Sequence, residues 1–413
     1  MTQPQTAQAP APGILFMVSL AAISLIGPLA VHIFLPIIPG VRAAFAMSDA
    51  MVQANLSIAL FTMAFATLFY GSLADRMGRR PVLLTGLLFF VLGTALCASA
   101  YSVTTLLFGR FIQAAGAGCG IALARTIARD AYGAAGLAKA IAYLTMAYTF
   151  GPLVAPLVGG ALHDIYGWRA VFLFALICGG AISFAAWKAV YETRPPDNPD
   201  STSFGLRTSV LRDYITLFSH WRFGCFVMQS GMSSAIFFTM AAATAGLWKD
   251  ILDRSAAEFG IYFGLFYPTA YFLGNFISTR FIGKAPKETM IFVGSTIGLL
   301  AAVVQAAFLL SGTINVITLF LPGFCITFAQ GIALPHAQAA AINIVPRLVG
   351  TASGIGVFLQ FFLGAFCSQM YGFIANGTVV PMVIVTILGS VVMFTVGFLP
   401  WLFRETPADQ STN

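Results

Sequence analysis

This sequence predicts an all-α integral membrane protein that crosses the bilayer about twelve times, on its composition, the block structure of its apolar residues and the placement of its charges. Of its 413 residues, 59% are hydrophobic and 8% are charged. A soluble globular domain carries about 25% charged residues, so too little polar material is present to cover a water-exposed surface. The length accommodates about twelve spans of ~20 residues with short connections. Two soluble domains of this length would need far more polar surface.

Apolar blocks run over 14–38, 52–73, 81–99, 103–127, 138–163, 168–190, 222–247, 257–281, 289–311, 314–340, 348–373 and 378–402. Helices are the expected form, because an open strand edge cannot be left in hydrocarbon and a barrel would give short alternating segments instead. Proline and glycine recur inside the blocks, as membrane helices tolerate. Trp168, Trp187, Trp221, Trp248 and Trp401 fall at block ends, where interfacial anchoring is expected.

Basic residues alternate in density from loop to loop. Arg76, Arg79, Arg80, Arg129, Lys139, Arg194, Arg207, Arg212, Lys284, Lys287, Arg347 and Arg404 flank one set of block ends, against Arg42, Arg169, Lys249 and Arg254 on the other. The rule that Lys and Arg accumulate inside predicts both termini on the cytoplasmic face. The longest connection, 191–221, contains Glu192, Pro195, Pro196, Asp197, Pro199 and Asp200 and separates six blocks from six. The domain plan is therefore a tail 1–13, a six-helix bundle 14–190, a linker 191–221, a second bundle 222–402 and a tail 403–413. Residues 1–12 lack the basic start of a cleaved signal peptide, so the first block is expected to be a retained helix.

The net charge of +7 is scattered. No basic run could track a phosphate backbone, which argues against nucleic acid, and anionic membrane lipid is the expected partner of this charge. The six cysteines lie singly in apolar blocks and read as small core hydrophobes, with no metal site implied. No GxxxxGK[ST], HExxH or GxSxG pattern occurs. Neither an ATPase, nor an enzyme, nor a bound cofactor is expected.

The most specific local pattern is Gly71-Ser72-Leu73-Ala74-Asp75-Arg76-Met77-Gly78-Arg79-Arg80. Gly71 and Gly78 would permit close helix approach and a tight reversal, and Asp75 could accept hydrogen bonds from arginines or helix N-termini. A degraded echo, Arg280-Phe281-Ile282-Gly283-Lys284, follows block eight. The first stretch resembles the signature loop between helices 2 and 3 of the major facilitator superfamily. Arg110-Phe111-Ile112-Gln113-Ala114-Ala115-Gly116, then Arg125 and Arg129-Asp130, resemble helix 4 of its Bcr/CflA group of drug exporters, with Ala114 where glycine is usual. Gly151-Pro152-Leu153-Val154-Ala155-Pro156-Leu157-Val158-Gly159-Gly160 and Gly167-Trp168-Arg169 resemble the antiporter-associated helix 5 and its outer loop. Pro335, Ala339, Pro346 and Gly350-Thr351-Ala352-Ser353 resemble helices 10 and 11 of the same group. Independently of any family, Gly151, Gly159 and Gly160 allow close packing while Pro152 and Pro156 interrupt the hydrogen-bond ladder, a combination suited to a bending, rocking helix.

The resemblance implies two six-helix bundles about a central cavity, related by a pseudo-two-fold axis along the membrane normal, with blocks 1, 4, 7 and 10 lining the cavity. It implies alternating-access efflux of small, partly apolar compounds across a bacterial inner membrane, proton-linked, by a monomer. Gating falls on Gly71, Asp75, Arg76, Gly78, Arg79, Arg80, Arg129, Gly151, Pro152, Pro156, Gly159 and Gly160. A specific carrier of an organic anion, such as a metal-chelate ligand or acidic metabolite, is the alternative.

One departure matters. Leu29-Ala30-Val31-His32-Ile33-Phe34-Leu35-Pro36-Ile37-Ile38-Pro39 resembles the end of helix 1, but the group typically has aspartate where His32 stands. No Asp or Glu lies in any span interior of the first half, leaving His32 and Arg110 as its intramembrane ionisable groups. Such groups are expected to face a bundle interior or wet cavity, and an imidazole of intrinsic pKa ~6.5 suits proton coupling. Gln113, Gln229, His336, Gln338 and Gln360 are the other span residues expected to contact substrate or protons. Neutral or anionic substrates are expected.

Overall fold

A computed structural model describes residues 13–194, 208–281 and 284–403. The tails, Pro195 to Arg207 of the linker, Ile282-Gly283 of the glycine-basic echo and Arg404 lie outside the described residues. The chain forms α1 Ile14–Phe45, α2 Asp49–Met77, α3 Arg79–Ala98, α4 Val103–Gly133, α5 Lys139–Tyr166 and α6 Trp168–Ala189, then α7 Trp221–Asp250, α8 Ala256–Thr279, α9 Lys287–Leu310, α10 Val316–Asn343, α11 Gly350–Ile374 and α12 Val380–Leu402. Eleven of these are long and apolar enough to cross a membrane. The remaining one, α8, has 24 residues, but Tyr262, Tyr267, Pro268 and Tyr271 dilute its hydropathy. Twelve long helices and no strand among the described residues agree with the fold class read from the sequence.

Local chemistry sets the boundaries. Ser102, Ser255 and Asn315 cap α4, α8 and α10, accepting hydrogen bonds from Thr105, Glu258 and Thr318 N–H at 3.1, 3.2 and 3.0 Å, so donors left unpaired by the first helical turn are satisfied. α1 is regular to His32, passes through a 3-10 turn at Leu35–Ile37, and resumes at Ile38–Phe45. Pro36 and Pro39 remove two backbone donors there, which accounts for the break. Gly133, at φ 58°, is the non-helical residue that parts α4 from α5. The linker contains an amphipathic helix, Thr208–Phe218, that rests on α7 and α11.

Leu88, Phe111, Ile177, Leu300, Phe366 and Leu388 are exposed on the outside of the bundle, the apolar exterior a lipid-facing protein presents. Trp187 and Trp221 are exposed at helix ends, as expected of anchors. Trp168 and Trp248 correct that expectation, because both are buried. Trp168 packs on Phe45 and Phe172, and Trp248 donates Nε1–H to the Ser255 carbonyl at 2.9 Å.

Four packing relations of the first half recur six helices later: α2 with α4 and α8 with α10, α3 with α4 and α9 with α10, α3 with α6 and α9 with α12, α1 with α6 and α7 with α12. The two halves meet along α2–α11 and α5–α8, which the same shift interchanges. Both halves use close glycine contacts, those of the second including Gly274, where a Cβ would lie 2.1 Å from the Phe328 carbonyl oxygen. In the first, a Cβ on Gly93 would lie 2.1 Å from the Gln113 backbone nitrogen and one on Gly116 2.2 Å from that of Phe90, so α3 and α4 touch backbone to backbone. The second is also filled by rings, with Trp248, Phe259, Phe263, Tyr267 and Phe320 in mutual contact.

Candidate functional site

The bundle has two chemically distinct ends. The basic end carries Arg76, Arg79, Arg80 and the linker helix, and the far end carries the α1–α2, α5–α6 and α7–α8 turns. Between them, at the point where α1 breaks, His32 is 5% exposed and faces the opposite half. Its ring meets Phe237 edge-on at 6.0 Å and lies over Phe238 at 6.2 Å, both on α7. Phe238 stacks on Phe361 of α11 and borders Gly364, beside Leu60 of α2. Nδ1 of His32 has no hydrogen-bond partner among the described residues. The imidazole of α1 thus meets two rings of α7, and Phe238 carries the contact on to α11 and α2.

Arg110 sits elsewhere. It is fully buried inside the first half. Nη1 donates to the Ala30 carbonyl at 2.9 Å and to Gln113 Oε1 at 2.5 Å, and Nε to the Asn55 carbonyl at 3.4 Å. The guanidinium lies 4.6 Å from the centroid of Phe34, a cation–π geometry. Gln113 passes the network on by donating to Thr94 Oγ1 at 2.9 Å. α1 to α4 are therefore tied at the α1 break by one cation held on carbonyl dipoles, and its charge is spent inside its own bundle. Nη2 is left without a partner among the described residues.

The glutamines separate in the same way. Gln360 lies near Ser234, which donates to it at 3.4 Å, and itself donates to the Gly356 carbonyl at 3.3 Å. Gln338 is half-buried on α10. Gln229 is fully buried with neither amide atom partnered among the described residues. His336 is buried in a pair with Ser278 of α8 at 2.8 Å, inside the second half. Of the polar residues singled out in the sequence, His32 is brought to the junction of the halves, whereas Arg110, Gln113 and His336 are turned into their own bundles.

At the basic end the signature loop is an ion-paired knot. Arg79 pairs with Asp75 of α2 and, at 3.0 Å through Nε, with Asp130 of α4. Arg129 adds a 3.7 Å contact to Asp130. Arg80 donates to the Trp187 carbonyl, and the Arg76 carbonyl accepts from Arg194. Gly78 turns the chain at φ 100°, and a Cβ there would lie 2.6 Å from Glu192 Oε2. Gly71 does not match the close approach expected of it, since a Cβ would meet nothing within 4 Å. On α5, Gly151 packs against Pro28 and Gly159 against Ile33 of α1, while Gly160 turns to the other half.

Inter-half hydrogen bonds cluster at the far end. Arg42 Nη1 meets Asp250 at 2.7 Å, Asp164 accepts from Ala256 and Ala257 N–H at 3.2 and 2.8 Å, and Gln369 donates to the Ala50 carbonyl at 3.2 Å. Beneath them, a Cβ on Gly160 would lie 2.2 Å from the Ala256 carbonyl oxygen, one on Gly260 2.2 Å from that of Pro156, and one on Gly264 2.6 Å from that of Leu153. Sequence reading missed Arg42, Asp164, Glu192, Asp250, Gly260 and Gly264. The four-residue spacing Ala256, Gly260, Gly264 was the available signal.

The sequence profile of the Major Facilitator Superfamily matches residues 20–368. The chain is 32% identical over 349 residues to Multidrug resistance protein D of Escherichia coli K12, covering 84% of this chain and 85% of that protein. It is 24% identical over 392 residues to the Bicyclomycin resistance protein homolog of Haemophilus influenzae, covering 92% and 94%. Among solved structures, an inward-facing, unoccupied bacterial homolog of the human lysosomal transporter Spinster aligns with a TM-score of 0.75 at 19% identity, over 95% of this chain and 98% of that one. A D-xylose-proton symporter aligns at 0.71 with 15% identity, over 97% and 99%.

Proposed function

The chain belongs to the major facilitator superfamily, and from that membership we propose that it exports small, partly apolar compounds, neutral or anionic, by secondary active transport. Its relatives include multidrug resistance proteins. In this reading the basic end faces the cytoplasm of a bacterium, the halves rock about the α2–α11 and α5–α8 seams, and substrate occupies the space between them beside Phe237, Phe238 and Phe361. Ring walls favour flat apolar compounds through burial and stacking. The far-end contacts correspond to the state closed on the outer side. The knot of Asp75, Arg79 and Asp130 keeps α2, α3 and α4 moving as one body, with Gly71, Arg76, Gly78, Arg80 and Arg129 shaping its turn. On α5, Gly151, Pro152, Pro156, Gly159 and Gly160 provide the close and bendable seam.

Proton coupling is assigned to His32, and one observation carries this assignment: an imidazole with an unpartnered Nδ1 stands where α1 touches α7 of the other half. A proton gained or lost there changes the charge at the junction itself, so protonation and rocking act on the same contact. The test is flux in proteoliposomes with an imposed pH gradient, using a compound that does not itself titrate. Wild type is expected to accumulate the compound on the acidic side, with the effect abolished by a protonophore, and His32→Gln to transport without responding to the gradient. Wild-type flux indifferent to the gradient, or gradient-driven flux unaltered in His32→Gln, rejects the coupling.

A further inference from the structure

Asp164 lies in the last turn of α5 and Asp250 is the last residue of α7. Both carboxylates stand at the C-terminal end of their own helix, where the helix dipole and the free carbonyls disfavour negative charge. Each is relieved by the opposite half. Asp164 accepts from the Ala256 and Ala257 N–H groups at the positive end of α8, at 3.2 and 2.8 Å, while Ser255 caps Glu258 N–H at 3.2 Å. The first turn of α8 is thus satisfied jointly by its own half and by the other. Asp250 is met at 2.7 Å by Arg42, whose other nitrogen lies 3.2 Å from Asp49 of its own half. Arg42, Asp164 and Asp250 line a cavity of about 720 Å³ between the halves.

We infer that Asp164 and Asp250 form a two-point latch that holds the far end shut, each carboxylate misplaced on its own helix end and met by the opposite half while the halves are together there. This rests on the alternating-access reading above. Opening the far end returns both carboxylates to unfavourable helix ends and strips α8 of two of its donors' acceptors, so the latch biases the resting protein toward far-end closure. The two points differ in kind, one a charge on backbone N–H groups and the other an ion pair.

Spin labels at Tyr166 and Ile317, both exposed at far-end helix termini of opposite halves, report the opening as an inter-label distance by double electron–electron resonance. The six native cysteines are replaced in the labelled background. Asp164→Ala and Asp250→Ala are each expected to raise the ratio of long to short distances about tenfold, the size of one charge-assisted contact. Arg42→Asp should do the same, and combining it with Asp250→Arg should restore the short distance. Asp49→Asn removes the ion pair Arg42 makes within its own half and should leave the ratio unchanged. An unchanged ratio in a folded Asp164→Ala, as judged by its elution profile and thermal midpoint, overturns the Asp164 point. No restoration in the double exchange, or an equal shift from Asp49→Asn, overturns the Arg42–Asp250 point. A wild type that holds one distance with and without a transported compound would overturn alternating access and the latch together, whereas two wild-type distances with no response to these substitutions would overturn the latch alone.

Discussion

Glu192 closes the basic end of the first half from a position three residues beyond α6. Its Oε1 accepts from the N–H groups of Arg79, Thr193 and Arg194 at 2.8, 3.0 and 2.9 Å, and its Oε2 from Arg80 at 3.1 Å. Burial favours the neutral acid, yet the four backbone donors outweigh it and hold the carboxyl below its ordinary 4.5. A depressed carboxyl contributes stability that is fully present above the unfolded value and disappears as pH falls through the folded one. Glu192→Gln should therefore lower the thermal midpoint at neutral pH by a few degrees at most, since the group is exposed and screened. The gap from wild type should close below about pH 4.5. Thermal midpoints of both proteins across that range test this, and a gap independent of pH rejects it. Sequence placed Glu192 in a linker, because a glutamate among prolines carries no local sign of the helix start it meets. His32 and Arg110 were both legible as ionisable groups inside the membrane. Their directions were not, since α1 and α4 are apolar on every face and offer no periodicity to fix their rotation.

At the scale of elements, α8 presents Ala256, Gly260 and Gly264 as one flat stripe to α5. The spacing was present in the sequence, but its partner was not, for small residues at intervals of four identify a close contact without saying which helix fills it. Here the partner is backbone: the Pro156 carbonyl would lie 2.2 Å from a Cβ at Gly260. Backbone oxygen cannot swing aside as a side chain can, so a larger residue forces the two helices apart. Gly260→Leu should exclude the far-end-closed state and reduce flux at least about tenfold, the consequence of overpacking by 1–3 kcal/mol or more. Gly180→Leu on α6, where a Cβ would meet nothing within 4 Å, should leave flux unchanged. Flux and thermal midpoint measured on the same preparations distinguish a blocked state from a misfolded one. Full transport by a folded Gly260→Leu would reject the seam. The helix count was legible because each span is a long apolar block. The break after His32 was marked only by Pro36 and Pro39, and the helix inside the linker only by the amphipathic run that follows its prolines.

For the molecule as a whole, the question is what sign of charge its centre favours. No Asp or Glu stands in the span interiors of the first half. Arg110, a permanent charge there, is buried on the Ala30 and Asn55 carbonyls and on Gln113, inside the first half and away from the rings at the junction. The groups around His32 are the rings of Phe237 and Phe238, which supply no opposing charge. Charge preference should then follow the protonation of His32. A unit charge ~8 Å from imidazolium at an effective dielectric of ~20 feels about 2 kcal/mol, enough for a change in affinity on the order of tenfold or more. Protonation of His32 should strengthen anion binding and weaken cation binding, while a neutral isostere stays flat. While His32 is neutral the three should converge. Binding of a matched cationic, neutral and anionic series, each keeping its own charge across the titration, measures this directly. Arg110→Gln should lower the thermal midpoint, because it removes the cation on which those carbonyls rely, yet leave the ratio of anion to cation affinity where it was. His32→Asp should invert that ratio and admit the cation. If the cation binds wild type as tightly as the anion at every pH, or if Arg110→Gln rather than His32→Asp moves the ratio in a folded protein, the charge at the centre is not governed by His32.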